Sequence, residues 1–221
     1  SELLITNEYV FEIPDSIVSL YWKVVAFNSC LVAKASSIYF CHKFDSSNEH
    51  LKLWLAADNV SVVDNKINIW CDMSGNQFDL LQNNTIKQPV KIDSAINNLP
   101  VIRFNGSTTS MSCAFETTFA QPNSFFIIHK IKNGSNQVIF DGVSSERSLL
   151  QYYSGRLKLR SLTDNAVFYD ISVPTQFMQN TLVYNSPNSQ LFESGTLKSS
   201  GNSGNLGCDG IILGSSLENT A

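Results

Sequence analysis

Charge is scarce in this chain. Asp, Glu, Lys and Arg make up 15% of its 221 residues, with 15 Lys+Arg against 19 Asp+Glu and a formal net charge of −4. A protein that tracks a phosphate backbone needs a basic stripe, so nucleic acid is not an expected partner. No run of about 18 apolar residues occurs, so no transmembrane helix and no membrane insertion are expected. The start, Ser1 and Glu2, shows no basic segment leading into an apolar one, so no signal peptide is read there. Histidine is rare (three residues), and the five cysteines, Cys30, Cys41, Cys71, Cys113 and Cys208, contain no C-x-x-C pair. A clustered zinc site therefore has little to build on. The cysteines read as small hydrophobes, with a Cys30–Cys41 bridge across a hairpin as the alternative.

What the chain does have is uncharged polarity. It holds 22 Asn and 30 Ser, about a quarter of all residues, beside 43% hydrophobic and 11% aromatic residues. Asn and Ser side chains bond nearby backbone, which favours turns and strand edges over helix interiors. The apolar share is enough for a core and the charge too low for a disordered chain. The combination points to β structure with many loops and to a surface that binds through hydrogen bonds. An all-β sandwich uses this length as one unit.

Along the chain, almost every segment reads as strand or turn. Ile17 to Phe27 and Leu31 to Phe40 are apolar segments around the turn signal Asn28, Ser29. We read residues 1–49 as an N-terminal β extension, too small for its own core. Its Tyr9, Phe11, Tyr21, Trp22, Phe27, Tyr39 and Phe40 exceed what a strand pair can bury, so it is expected to dock on another chain or on the larger domain. Residues 50–221 form the main domain. Leu51, Leu53 and Leu55 alternate with Lys52, Trp54 and Ala56. Asp64–Asn65 turns into Ile67–Trp70, Ser154–Gly155 into Arg156–Arg160, and Ser194–Gly195 separates Phe192 from Leu197. Ser124 to Ile131 is nearly all apolar and is expected to be covered on both faces. The one short helical pattern lies around Ile92 to Asn97. The expected core holds Leu53, Leu55, Ile69, Ile102, Phe104, Ile127, Val183 and Ile211.

Several blocks together resemble a known fold family. Leu53–Asp58 is followed by Trp70, Asp72, Ser74, Gly75, Asn76 and Asp79, and then by Leu99–Gly106 (Leu-Pro-Val-Ile-Arg-Phe-Asn-Gly). Later come Val183, Tyr184, Asn185, Leu191, Phe192, Gly195 and Asp209–Gly214. This order resembles the laminin-G-like, concanavalin A-like lectin/glucanase jelly roll found in bacterial surface proteins and bacteriophage appendages. The resemblance covers residues 51–216. It implies an all-β jelly-roll sandwich, and it leaves function open because that fold hosts binders, enzymes and structural parts. Family members continue past the position of Gly214 with further strands, so the expectation is either a trimmed version of a longer protein or an open sheet edge.

Three chemistries have residues to build on. Jelly-roll glycanases set two carboxylates on alternate positions of one strand face, about 5–5.5 Å apart in retaining enzymes. No Glu here is followed two residues later by Asp or Glu, and no Gly-x-Ser-x-Gly elbow appears, so no catalytic residues and no enzyme activity are expected. Asp72, Asn76 and Asp79 share one loop and suit calcium's taste for oxygen; the alternative, which we favour, is that they tie the turn by bonding backbone amides. Tyr152, Tyr153, Phe168 and Tyr169 sit near turns with Gln151, Asn165 and Asp170, and of these Tyr152, Tyr153, Tyr169 and Asn165 form the candidate glycan site, since a ring stacks on a sugar face and amides ring it. The alternative is that these rings cap the sandwich edge. The Asn-x-Ser/Thr triplets at Asn59, Asn83, Asn105 and Asn133 are expected by chance in so Asn-rich a chain.

The expected role is a non-enzymatic virion structural or adhesion module. Its expected partners are copies of itself, neighbouring structural subunits and cell-surface glycans, and it needs no cofactor beyond optional calcium. Unpaired thiols fit assembly in a reducing host cytoplasm. The alternative is a carbohydrate-binding domain of a secreted or cell-surface adhesin or glycan-degrading enzyme.

Overall fold

The structure, a computed structural model, describes residues 49–132, 136–161, 165–171 and 176–219, with four short strands earlier in the chain. The chain divides into two compact units, Ser1–Asn48 and Glu49–Ala221. In the first, β1 (Leu20–Trp22) pairs antiparallel with β4 (Tyr39–Cys41), and β2 (Ala26–Phe27) with β3 (Val32–Ala33). The aromatic surface expected of residues 1–49 and the Cys30–Cys41 alternative lie outside the described residues, as does Asn133.

The second unit is all-β. Its strands are β5 (Leu55–Val63), β6 (Lys66–Asp72), β7 (Leu80–Leu81), β8 (Val90–Ile96), β9 (Leu99–Arg103), β10 (Met111–Phe119), β11 (Asn123–His129) and β12 (Gln137–Asp141). There follow β13 (Leu149–Tyr153), β14 (Arg156–Arg160), β15 (Val167–Asp170), β16 (Met178–Tyr184), β17 (Ser189–Glu193), β18 (Thr196–Gly201) and β19 (Cys208–Leu213). They make two antiparallel sheets. The larger runs β15-β14-β13-β12-β19-β10-β7-β6-β8-β9, with β5 also on β6, and the smaller runs β11-β16-β17-β18. The last strand, β19, is interior, flanked by β10 and β12.

Local chemistry sets the hairpins. Asp64–Asn65, Ser154–Gly155 and Ser194–Gly195 all have positive φ at both central positions, the geometry whose twist matches flanking strands. Asn97–Asn98 does the same, so the segment read as a short helix is instead the hairpin β8–β9. Asn tolerates the left-handed conformation that this turn demands, and the turn chemistry outweighs the weak helical pattern.

The inner faces of the two sheets share one hydrophobic cluster. From the larger sheet come Ile67, Leu80, Met111, Phe140, Leu150, Leu157, Leu159 and Ile211, and from the smaller Met178, Leu182, Tyr184 and Leu191. Phe125 of β11 stacks on Phe140 of β12, ring centroids 4.7 Å apart, and the Tyr184 hydroxyl donates to the Leu149 carbonyl at 2.8 Å. Of the expected core, Ile211 is buried and Leu53, Leu55, Ile102, Phe104 and Ile127 pack against the cluster. Ile69 and Val183 do not belong to it. On β6 the register slips between Ser61↔Ile69 and Val62↔Ile67, which inserts Asn68 as the extra residue of a bulge. The bulge reverses the alternation, so Ile67 and Trp70 reach the core and Ile69 faces away, opposite the exposed Leu81. Val183 lies between the inward Leu182 and Tyr184 and so points outward.

Candidate functional site

Three places in the second unit gather chemistry-bearing side chains. The first is the loop after β6. The Asp72 carboxylate accepts four hydrogen bonds: Oδ1 from the Trp54 amide (3.0 Å) and the Ser74 amide (2.9 Å), Oδ2 from the Ser74 hydroxyl (2.7 Å) and the Phe78 amide (3.1 Å). Asp79 accepts from the Asp72 amide at 2.8 Å, and the Asn76 side-chain amide donates to the carbonyls of Leu51 and Lys52. Asp72, Asn76 and Asp79 are thus brought together, and they act as a splice between the loop and the segment entering β5. Asn76 offers this cluster its NH2. Among the described residues, no group of three or more His, Cys, Asp and Glu is arranged to hold a metal ion. Burial and the nearby charges of Asp72 and Asp79 push the Cys113 thiol up to about 11, so it stays a neutral packing group.

The second place is the outer face of β13–β15. Tyr153 pairs across to Arg156, Gln151 to Lys158, Lys158 to Phe168, and Arg156 to Asp170. Tyr153 and Phe168 stand 47% and 42% exposed on this face. The Lys158 ammonium lies between them, 5.8 Å from the Tyr153 ring centroid and 5.4 Å from that of Phe168. Arg156 also approaches the Phe168 ring, at 5.7 Å, while its Nε meets Asp170 at 2.6 Å. Partial burial, with Arg160's charge second, lowers the Lys158 pKa from its ordinary value.

The tyrosines nominated from the sequence part company here. Strand alternation that turns Tyr153 outward turns Tyr152 inward, and Tyr152 is buried in the core. Tyr169 also faces inward, at the rim between the sheets. Its hydroxyl donates to Glu193 of β17 at 2.9 Å, and Lys198 both pairs with Glu193 and lies over the Tyr169 ring. Burial and the Glu193 carboxylate raise the Tyr169 pKa. Asn165 is exposed, two residues before β15. Of the four, Tyr153 alone stands on the exposed face with Phe168 and Lys158. The sequence signal for Phe168 was its adjacency to Tyr169, because one of two neighbouring strand residues must face out.

No family model matches this chain, and no curated protein matches it.

The third place is the outer face of the smaller sheet. Phe126, Thr181, Phe192 and Leu197 are direct neighbours across all four strands and form one uncharged row. Phe126 is 72% exposed and Ile128, two residues along, 68%. Among the described residues, β11 pairs on one side only, with β16. The expectation that Ser124 to Ile131 is covered on both faces is therefore corrected: the run is apolar, yet its odd-numbered residues alone meet the core. Nothing in the composition of such a run separates a doubly buried strand from an edge strand with an apolar outer face.

Elsewhere, buried polar groups serve packing. Asp141 is fully buried and accepts from the Gly142 and Leu217 amides, with Arg147 Nε 3.3 Å away. That approach is a charge contact without hydrogen-bond alignment. The Ser144 hydroxyl donates to Asp209, and the Gly207 amide to Glu146 at 3.0 Å, which pins the β12–β13 loop to β19.

Proposed function

We propose that residues 49–221 are a concanavalin A-like jelly-roll sandwich acting as a non-catalytic assembly and adhesion module of a virion, as in a bacteriophage tail or head appendage. The two antiparallel sheets with a shared core support the sandwich, and the sequence blocks support the family. The observation that carries an assembly role is the uncharged row Phe126–Thr181–Phe192–Leu197 on a sheet whose edge strand exposes Phe126 and Ile128. Edge strands of monomers are usually defended by charges, prolines or bulges, and β11 carries none of these between Asn123 and Ile128. Large exposed apolar patches normally mark interaction surfaces. Light scattering on the full chain tests it. An oligomer converted to monomer by the double substitution Phe126→Lys, Ile128→Lys is the expected result. A wild-type chain that stays monomeric at high concentration refutes it.

A second reading has its own support. The Tyr153–Lys158–Phe168 face offers half-exposed rings beside the Gln151 amide, which suits a weakly held glycan and fits a carbohydrate-binding domain of a secreted or surface adhesin. Loss of glycan-array signal in a Tyr153→Ala, Phe168→Ala chain is the expected outcome for this reading, and unchanged signal removes it.

A further inference from the structure

The ring of His129 sits at the end of the strand that carries the outer apolar face. His129↔Met178 is the last pair of the β11–β16 ladder, and the residue before it, Ile128, is 68% exposed on that face. The His129 ring turns the other way. Its Nε2 lies 2.8 Å from Oδ1 of the fully buried Asn180 of β16, and Asn180 donates from its NH2 to the Phe192 carbonyl of β17 at 3.0 Å. That second bond orients the amide, so its oxygen meets the ring and Nε2 carries the proton. Nδ1 is buried and has no hydrogen-bond partner. The seat fits a neutral imidazole, because an imidazolium is a donor at both nitrogens and a buried charge needs a partner.

Among the described residues, the groups around the ring do not favour its cation. Lys130 and Lys132 follow it in the chain, the Lys130 ammonium lying 5.8 Å from the Phe177 ring centroid. On β16, Met178, Gln179 and Asn180 are uncharged. Glu193 of β17 is paired opposite Asn180, one strand further from β11. Its carboxylate already meets the Tyr169 hydroxyl at 2.9 Å and the Lys198 ammonium at 3.4 Å. From the larger sheet the shared core receives Leu150, Tyr152, Leu157 and Leu159, with no carboxylate among them. Burial lowers the His129 pKa, the bond to Asn180 partly offsetting it.

We propose that His129 is a proton-operated latch: in mild acid its protonation frees residues 128–130 from β16 and so breaks up the apolar face that Ile128 shares with Phe126. Control of assembly rests on the reading of that face given above; release of the strand does not. The opening is local. Among the described residues β11 pairs with β16 alone, so parting the last rungs breaks bonds to a single neighbour. Ile127 packs against the core and Ile131 is 2% exposed, which confines the opening to the residues between them. Once in water the ring takes up a proton near its ordinary value of about 6.5, whereas the closed seat resists it. The latch is therefore shut above that pH and opens as pH falls. The opening constant should rise by up to about tenfold from pH 7.5 to 5.5.

The test has two arms, both on the full chain. The first is amide hydrogen exchange by nuclear magnetic resonance at pH 7.5 and 5.5, corrected for the intrinsic pH dependence of exchange. Amides of residues 127–130 and 178–180 that are protected at pH 7.5 should open several-fold more often at pH 5.5, with about tenfold as the ceiling. Those at the Asn123–Tyr184 end of the same ladder should change less. His129→Gln, whose side-chain amide can still donate to Asn180 Oδ1, should show no such difference between the two pH values. Protection that is independent of pH in the wild type, an equal change in His129→Gln, or equal loss along the whole ladder overturns the latch. The second arm is sedimentation velocity at the same two pH values. Self-association should weaken at pH 5.5 in the wild type and stay constant in His129→Gln. A chain that is monomeric at pH 7.5 overturns the assembly reading and with it the control of assembly, while the exchange arm still decides the latch. Local opening with undiminished association at pH 5.5 overturns the control of assembly alone.

Discussion

His129 Nε2 lies 2.8 Å from Oδ1 of the fully buried Asn180, and the other ring nitrogen of His129 is buried without a partner. Asn180 spends its NH2 on the Phe192 carbonyl at 3.0 Å, so its oxygen faces the ring and the proton sits on Nε2. Protonating Nδ1 would place a cation where no acceptor exists. Burial accordingly lowers the His129 pKa below 6.5, the bond to Asn180 partly offsetting it. The unfolded chain takes up that proton at pH values where the folded chain resists it. Stability is therefore complete above about pH 6.5 and falls as pH drops towards the folded value. Chemical denaturation between pH 7.5 and 5 should show the wild type losing up to about 1.4 kcal/mol per pH unit relative to His129→Gln. Parallel pH profiles for the two proteins would refute this.

Neighbouring residues on β11 should respond oppositely to truncation. Phe125 stacks on Phe140 and meets Tyr184 edge-on at 5.5 Å, so Phe125→Ala should cost about 3–5 kcal/mol of unfolding free energy. Phe126 points away from the core, and Phe126→Ala should change monomer stability by less than about 0.5 kcal/mol while weakening self-association. Equal costs would mean that the strand is out of register.

Asp141 and Arg147 form a buried charge pair, and removing Asp141 leaves the buried Arg147 with the exposed Glu218, whose carboxylate accepts from its Nη2 at 3.2 Å. Asp141→Ala should cost about 3–5 kcal/mol. The double variant Asp141→Leu, Arg147→Met should recover most of that loss, because replacing both charges removes both desolvation costs. Additive losses in this cycle would show that the pair is not coupled.

Gly210 of β19 lies opposite Ala114 of the neighbouring antiparallel strand β10. A Cβ there would lie 2.5 Å from the Cys113 carbonyl oxygen and 2.9 Å from the Ala114 Cα, both on a paired strand. Gly210→Ala should therefore lower stability by at least about 1–3 kcal/mol, the range for overpacking a filled core. A melting temperature equal to wild type would show that the two strands can part at no cost.

The fold was legible in the sequence wherever one short segment settles the matter. The turns at Asp64–Asn65, Ser154–Gly155 and Ser194–Gly195 depend on residues that accept positive φ, and Arg156–Arg160 shows its wet face through alternating charge. The candidate site was legible only in outline. Tyr152 and Tyr153 are equivalent as a dipeptide, and strand geometry says that one of them faces out without saying which. Asp72 can serve as a cation ligand or, as favoured from the sequence, as a turn splice, because the same oxygens serve both, and the amides that claim them include those of Trp54 and Phe78, far apart in sequence.

The sequence by itself determined the β character, the hairpins and the aromatic and amide stock from which a binding surface can be made, since these follow from local propensity and composition. Where charge does not alternate along the strand, as in β6, β11 and β13, tertiary structure alone decided which side meets the core. Parity is set by a partner strand and by bulges, and a single extra residue such as Asn68 reverses it. That reversal puts Ile67 and Trp70 inside and Ile69 outside. Position in a sheet is likewise non-local: among the described residues β11 pairs with β16 alone, and that placement leaves Phe126 and Ile128 exposed.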